Sequence, residues 1–151
     1  MQNFSLLLNN ILVDTYHSIL RLESDFLLND SRINLSIREV HLIECVGTDK
    51  ENGKAVSEIA EYMKVTRPTA TVAINKLEKK GYLSKQESAL DGRMVHVKLT
   101  KEGRKVDEYH RAYHRSLVHA IETEFSEDEK EYLIRTILRL DNFLKKTIPQ
   151  T

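Results

Sequence analysis

The chain has 151 residues, and its 23 basic side chains balance 23 acidic ones, so the formal net charge is zero. This length fits one compact unit better than two large independent domains. The single cysteine, Cys45, excludes an intrachain disulfide. The N-terminal region has no basic segment with a cleavage site, and charged residues interrupt its most apolar stretch. We therefore expect no membrane span and a cytoplasmic location.

The basic residues are distributed unevenly. Residues 64–105 contain eleven Lys and Arg against four Asp and Glu, so this segment carries a net charge of plus seven. Phosphate binding requires such a clustered surface, because affinity for nucleic acid depends on the ions released at the contact and not on overall charge. The pattern indicates a nucleic-acid contact, with an ordinary solvated charged face as the alternative.

Two helices are predicted in the first third of the chain. Apolar residues recur at spacings of three and four over residues 3–28, which is typical of a long amphipathic helix. Ser36 and Glu39 have the spacing of a capping box, so a second helix starts there and runs to Gly47. We expect Gly47 to end this helix in the left-handed conformation that suits glycine.

A helix-turn-helix pattern follows. The third helix is predicted to start with Ser57 as its N-cap and to end near Met63. After a short turn, the Thr66 cap opens a fourth helix, which Gly81 ends. The predicted core face of the fourth helix consists of Ala70, Ile74 and Leu77.

After the fourth helix the apolar period changes from helical to alternating. Residues 82–87 and 94–100 are therefore predicted to form two strands of a hairpin, with the turn at 89–92. A long helix then runs to about residue 124. Ser126 and Glu129 have capping-box spacing and open a last helix.

The predicted fold is mainly α with a small β-hairpin wing. We expect a single domain over residues 1–151, in which residues 36–104 form a winged helix-turn-helix lobe. Residues 1–30 and 105–148 are predicted to be dimerisation helices, because their apolar faces are too long for the small lobe to cover. A two-fold partner is the simplest way to bury them.

The fourth helix presents polar and basic side chains opposite its core face, as a DNA recognition helix does. Arg67 can bind guanine bidentately, Asn75 can pair with adenine, and threonine methyl groups can contact thymine. Pro68 is expected mainly as a first-turn helix starter, with a sugar or base contact as the alternative. The candidate DNA-binding residues on this helix are Arg67, Pro68, Thr69, Thr71, Asn75 and Lys76.

The hairpin adds a second set of candidates. Arg93 at its tip is expected to enter the minor groove, and Asp91 to orient the Arg93 guanidinium; a plain turn with a solvated arginine is the alternative. Two lobes related by a dyad would place their recognition helices roughly 34 Å apart, which requires an inverted-repeat operator. The residues expected to contact phosphates are Lys85, Lys98, Lys101 and Arg104.

Several short segments in this region form motifs. They are Val56-Ser57-Glu58-Ile59-Ala60, Val65-Thr66, Leu77-Glu78-Lys79-Lys80-Gly81-Tyr82-Leu83, Asp91-Gly92-Arg93 and Val97-Lys98-Leu99-Thr100-Lys101-Glu102-Gly103. Together they closely resemble the MarR family of bacterial regulators, and the order of the remaining helices is similar too. The resemblance implies a single MarR-like domain acting as a homodimeric transcriptional repressor. Gly92 departs from the basic or bulky residue often found at that position in the family.

Within that family, two branches are similar to this chain. Segments 35–41, 94–100 and 110–119 look most like the branch that represses fatty-acid synthesis genes, which implies long-chain acyl groups on acyl carrier protein as corepressor. The alternative is the zinc-responsive branch, which regulates metal uptake. The residues similar in order and spacing to its metal site are Glu23, His41, His110 and His114.

Other classes of protein fit less well. The chain has neither a nucleophile elbow nor a phosphate-binding glycine loop, so we do not expect an enzyme. Cys45 has no cationic neighbour in the sequence that would activate its thiol, so a structural role is expected in place of redox sensing. A winged helix that binds protein instead of DNA is a further alternative.

Overall fold

The computed structural model describes residues 3–28, 33–87 and 95–147, and the chain divides into two compact units, 1–111 and 112–151. The predicted mainly helical fold with a small sheet is confirmed. In chain order the elements are α1 (Phe4–Leu28), α2 (Ile37–Gly47), β1 (Lys54–Ala55), α3 (Val56–Met63), α4 (Arg67–Lys79), β2 (Leu83–Glu87), β3 (Val95–Leu99), α5 (Lys101–Glu124) and α6 (Glu127–Thr147). The predicted division into a winged lobe and dimerisation helices stays a prediction.

The core of the first unit lies where α2, α3 and α4 meet the sheet. Its largest fully buried apolar side chains are Val40, Leu42, Ile43, Val46, Ile59, Ile74, Leu77, Leu83 and Val97. The predicted core face of α4 is confirmed, because Ala70, Ile74 and Leu77 are all buried. This burial fixes which side of α4 faces away from the core.

The three strands form an antiparallel sheet in the order β1-β3-β2. The register of the two predicted strands pairs Leu83 with Leu99. β1 adds a third strand through the pairing of Lys54 with Val97. Two residues are too few for an alternating pattern, so the sequence did not indicate β1. The predicted turn at 89–92 lies outside the described residues.

The two ends of α2 differ in how well they were predicted. The capping box is confirmed: the Ser36 amide donates to Glu39 Oε2 over 2.7 Å, and the Glu39 amide donates to Ser36 Oγ over 3.3 Å. The left-handed Gly47 is wrong, because α2 includes Gly47 and its C-cap is Thr48 in the right-handed conformation. A Cβ at this position would lie 2.6 Å from Asp107 Oδ2, so a larger residue would require the Asp107 side chain to move.

The helix-turn-helix caps show one error and two confirmations. The N-cap of α3 is Ala55 and not Ser57, because β1 ends at Ala55 and the helix follows at once; the Ala55 amide donates to Glu58 Oε2 over 2.7 Å. Thr66 caps α4 as predicted and accepts from the Thr69 amide over 3.3 Å. Gly81, with φ of 83°, ends the segment as predicted.

The long helices expose most of their apolar side chains. Of the 24 large apolar residues that are exposed in the described part of the chain, 22 lie between residues 4 and 22 or between 109 and 144. No residue of α6 is buried. Within 3–28, 33–87 and 95–147, no helix has the length and apolarity needed to cross a bilayer.

Candidate nucleic-acid interface

The six candidate residues of α4 share one exposed surface. All of them are exposed, while the opposite face of the helix is buried. Arg67 has no ion-pair partner among the residues that the structure describes.

The threonine hydroxyl groups of α4 are used within the helix. Thr71 Oγ1 donates to the carbonyl of Arg67 over 2.9 Å, and the Thr66 and Thr69 hydroxyl groups lie 2.8 Å apart. Thr71 is exposed, and with its hydroxyl engaged in this way its methyl group is the part of the side chain left for an apolar contact. That arrangement suits the contact with a thymine methyl that the sequence suggested.

Glu39 joins the start of α2 to the end of α4. Its Oε1 lies 3.1 Å from Lys76 Nζ and 3.0 Å from Lys80 Nζ, and Lys80 also donates to the carbonyl of Asn34 over 2.7 Å. Burial by itself raises the pKa of Glu39, but hydrogen bonds from the Ser36 amide and the two ammonium groups outweigh it and lower the pKa to about 2. Lys76, on the exposed face of α4, is thus held by its ion pair with Glu39.

A second set of contacts joins α4 to the hairpin. Lys85 of β2 donates through Nζ to Asn75 Oδ1, and the same Nζ lies 3.0 Å from Glu78 Oε2. The backbone amide of Lys85 also donates to Glu78 Oε1 over 3.4 Å. Lys85, expected only as a phosphate contact, is therefore bound to two residues of α4.

The remaining basic candidates lie on β3 and the start of α5. Lys98 is on β3 opposite Ser84, and Lys101 opens α5 in an exposed position. Arg104 donates from Nη1 to the carbonyl of Leu99 over 3.0 Å. Asp91 and Arg93 lie outside the described residues, so their roles rest on the sequence.

The base of the hairpin is fixed to α5 by the Leu99-Thr100-Lys101-Glu102-Gly103 motif. Thr100 Oγ1 donates to the Gly81 carbonyl over 2.6 Å and accepts from the Gly103 amide over 3.1 Å. The Thr100 amide donates to the Tyr82 carbonyl over 3.1 Å. A Cβ on Gly103 would lie 2.1 Å from that carbonyl oxygen, so this position requires glycine.

Three of the four candidate metal ligands lie together in the first unit. One ligand atom from each of Glu23, His41 and His110 lies within 4.8 Å of the others, and His41 Nε2 is 3.4 Å from Glu23 Oε1. His110 is fully buried, and its Nδ1 lies 3.2 Å from Glu44 Oε2. His114 follows on α5 in the second unit, so its place in the set stays a prediction.

Cys45 is buried in α2 at 2% exposure. Burial raises the pKa of its thiol to about 11. A thiol that stays protonated at neutral pH is a poor nucleophile and a poor redox sensor. The geometry therefore favours the expected structural role.

Three carboxylates of this region were not identified as functional from the sequence. Glu39 was expected only as a capping residue, and Glu78 and Glu44 were not singled out. The i, i+3 spacing of Asn75 and Glu78 was the one available signal for Glu78, because it puts both on the same helix face. Nothing in the sequence pairs either of them with Lys85 or pairs Glu44 with His110.

Comparison with known proteins places these features among transcription regulators. A family model described as transcriptional regulator SarA/Rot matches residues 26–108. The HTH-type transcriptional regulator YhjH of Bacillus subtilis (strain 168) is 31% identical over 84 residues, which are 56% of this chain and 47% of that protein. The repressor YetL of the same organism is 26% identical over 58% of this chain and 53% of its own. The chain thus spans about half the length of the curated relatives it matches.

Solved structures show a likeness over nearly the whole chain. The structure of Streptococcus pneumoniae FabT in complex with DNA superposes with a TM-score of 0.86 and 29% identity, covering 95% of this chain and 99% of that one. The S. aureus MepR-DNA complex has a TM-score of 0.68 at 18% identity, covering 94% and 98%, and supports the fold alone. The predicted winged-helix fold is confirmed, and the matches are to a family of regulators and not of enzymes.

Proposed function

Since the chain belongs to the SarA/Rot family of MarR-like, DNA-binding transcriptional regulators, we propose that it is a homodimeric repressor that binds an inverted-repeat operator. The observation that carries the proposal is the exposed polar face of α4, which is opposite the buried face of the same helix. The proposed DNA-binding residues are Arg67, Pro68, Thr69, Thr71, Asn75, Lys76, Asp91, Arg93 and Lys98.

The exposed apolar residues of the long helices support the dimer. α1 is apolar around most of its circumference, and a helix with that pattern is normally buried on more than one side. On α6, apolar residues such as Ile137 and Phe143 are more than half exposed. Patches of this extent mark an interaction surface. A second copy of the chain supplies matching apolar surface and sets two recognition helices about one DNA turn apart.

Arg67 is expected to contribute most among the α4 side chains. Arg67→Ala should weaken operator binding by about 1–3 kcal/mol, because a bidentate arginine-guanine pair contributes that much discrimination. Arg67→Lys keeps the charge but loses the planar fork, so it should restore little of the affinity for the operator. Fluorescence anisotropy with a labelled duplex measures both variants.

Two outcomes would contradict this part of the proposal. If Arg67→Ala binds the operator as tightly as the wild type, α4 is not the reading element. If the wild type binds no duplex in dilute buffer, where phosphate contacts are strongest, the winged helix has a protein partner instead.

We further propose that the repressor controls fatty-acid synthesis genes, with long-chain acyl-acyl carrier protein as corepressor. The support is the resemblance of segments 35–41, 94–100 and 110–119 to that branch. The likeness to FabT is also greater than that to MepR, at 29% against 18% identity and a TM-score of 0.86 against 0.68. The apolar helix faces offer surface of the kind that an acyl chain would need.

The corepressor is tested by measuring operator affinity with acyl-acyl carrier protein and with the carrier protein lacking its acyl chain. The acylated form should tighten operator binding by about tenfold, within the usual range of allosteric coupling. The carrier protein without an acyl chain is the matched control and should have no effect. Equal effects of the two forms would contradict an acyl-dependent corepressor.

A zinc-responsive regulator is the second candidate function, and the three clustered ligands favour it. Tetrahedral zinc with ligands about 2.0–2.1 Å from the ion requires ligand atoms about 3.3 Å apart. The 3.4 Å between His41 Nε2 and Glu23 Oε1 matches this spacing. Glu44 Oε2 also lies 3.2 Å from His110 Nδ1, so a further carboxylate stands beside this cluster. Zinc would act by tying α1, α2 and α5 together through Glu23, His41 and His110.

Zinc content is expected to depend on His41. The wild type dialysed against zinc should retain the ion, and His41→Ala should lose it, because only two of the three clustered ligands would remain. His96→Ala, which removes a histidine from β3, is the control and should retain the metal. Wild-type protein that holds no zinc, and whose operator binding ignores zinc, would remove this candidate.

A further inference from the structure

We propose that Lys85 fixes Asn75 so that the two side chains together read a guanine in the major groove. The inference rests on the proposed function and adds a specificity to it. It starts from a feature of the hairpin that the sequence assigned only to phosphate binding. Asn75, Glu78 and Lys85 are called the hairpin clamp below.

The hairpin clamp joins the recognition helix to β2. Asn75 and Glu78 stand three residues apart on α4 and therefore on one face of it. Lys85 reaches that face from β2, where its ammonium contacts Glu78 Oε2 at 3.0 Å and donates to Asn75 Oδ1. The Lys85 and Glu78 side chains are about one-third exposed, at 33% and 39%. The clamp therefore lies at the surface and in reach of a duplex.

The chemistry of lysine fixes the orientation of the Asn75 amide. An ammonium group only donates hydrogen bonds, so the Asn75 atom that faces it must be the oxygen. The amide nitrogen of Asn75 then points away from Lys85. Of the three ammonium protons, one serves Glu78 and one serves Asn75, which leaves one for a ligand. Toward a duplex the clamp offers hydrogen-bond donors from both side chains.

A set of donors distinguishes guanine from adenine. The major-groove edge of guanine has two acceptors, N7 and O6. The same edge of adenine has one acceptor, N7, and one donor, the N6 amino group. Asparagine recognises adenine with its oxygen and nitrogen together, and here the Lys85 ammonium already takes one of the two lone pairs of that oxygen. The positive charge of Lys85 further disfavours an approaching donor. Lys85 and Asn75 are thus specificity-determining residues, and Glu78 is a positioning residue for Lys85.

The test is a panel of operator duplexes in which each guanine of the half-site is replaced in turn by adenine or by inosine, which keeps N7 and O6. At one position the wild type should bind guanine and inosine alike and adenine on the order of tenfold more weakly. Lys85→Met and Asn75→Ala should each lose this preference at that position. The double variant should lose no more than either single one, because the two side chains act as a unit.

Lys98→Met is the matched control. It removes one lysine from the neighbouring strand, β3, and leaves the contact between Lys85 and Asn75 in place. It should weaken binding to every duplex of the panel by a similar factor, as expected for a phosphate contact. If Lys85→Met behaves like Lys98→Met, Lys85 contacts only phosphate and the clamp proposal is overturned while DNA binding stands. If the wild type binds no duplex at low salt, the proposed function itself fails.

Discussion

Replacing Gly103 by alanine is expected to destabilise the first unit by about 3 kcal/mol. The added Cβ would lie 2.1 Å from the Tyr82 carbonyl oxygen, and that oxygen also accepts the Thr100 amide. The two atoms nearest to that Cβ are the backbone oxygen and carbon of Tyr82, so the clash can be relieved only by moving the hairpin base away from α5. Overpacking of this kind costs about 1–3 kcal/mol and falls at the upper end when backbone must move.

Urea unfolding at fixed protein concentration measures this effect, since the stability of the proposed dimer would depend on concentration. Glu102→Ala, an exposed change in the same turn of α5, is the control and should shift the midpoint little. A Gly103→Ala variant with the wild-type midpoint would show that the hairpin base and α5 are farther apart than the structure has them.

Glu39 is expected to make the protein sensitive to acid below about pH 5. Its pKa falls from the usual 4.5 in the unfolded chain to about 2 in the folded one. A carboxyl group whose pKa is lowered by folding adds stability above its unfolded pKa, and this stability is lost as pH falls toward the folded pKa. A shift of this size corresponds to about 3 kcal/mol at neutral pH. The loss should occur between about pH 5 and pH 2.

Glu39→Gln tests this account by separating charge from shape. The variant should be less stable than the wild type at pH 7 by up to about 3 kcal/mol, and the two should converge toward pH 2. The exposed carboxylate of Glu102 provides the control, because Glu102→Gln should keep nearly the wild-type pH dependence. If the free energy of unfolding changed with pH in the same way for the wild type and Glu39→Gln, the ion pairs of Glu39 with Lys76 and Lys80 would not contribute to stability.

The sequence predicted those parts of the fold that local chemistry determines. Ser36 and Thr66 cap helices through side-chain contacts only three residues away, and Gly81 takes the positive φ that its position requires. Apolar spacing found the buried face of α4. The error at Ser57 arises where a distant segment intervenes, namely the pairing of β1 with β3.

The candidate site was predictable as a set of residues but not as a set of contacts. The exposed face of α4 follows from its helical period. Glu39 and Lys80 are 41 residues apart, so their ion pair depends on how α2 and α4 pack. The contact between Lys85 and Asn75 depends likewise on the path of the chain after Gly81. Such contacts decide which basic side chains point toward a duplex and which are held by the protein.

Selection of duplexes from a random library by the purified chain tests the central claim most directly. The account predicts enrichment of an inverted repeat whose half-site centres lie about 10 base pairs apart, because a two-fold dimer places one copy of α4 in each of two successive major grooves. Enrichment of single half-sites or of no sequence would contradict a dimeric regulator that reads DNA through α4.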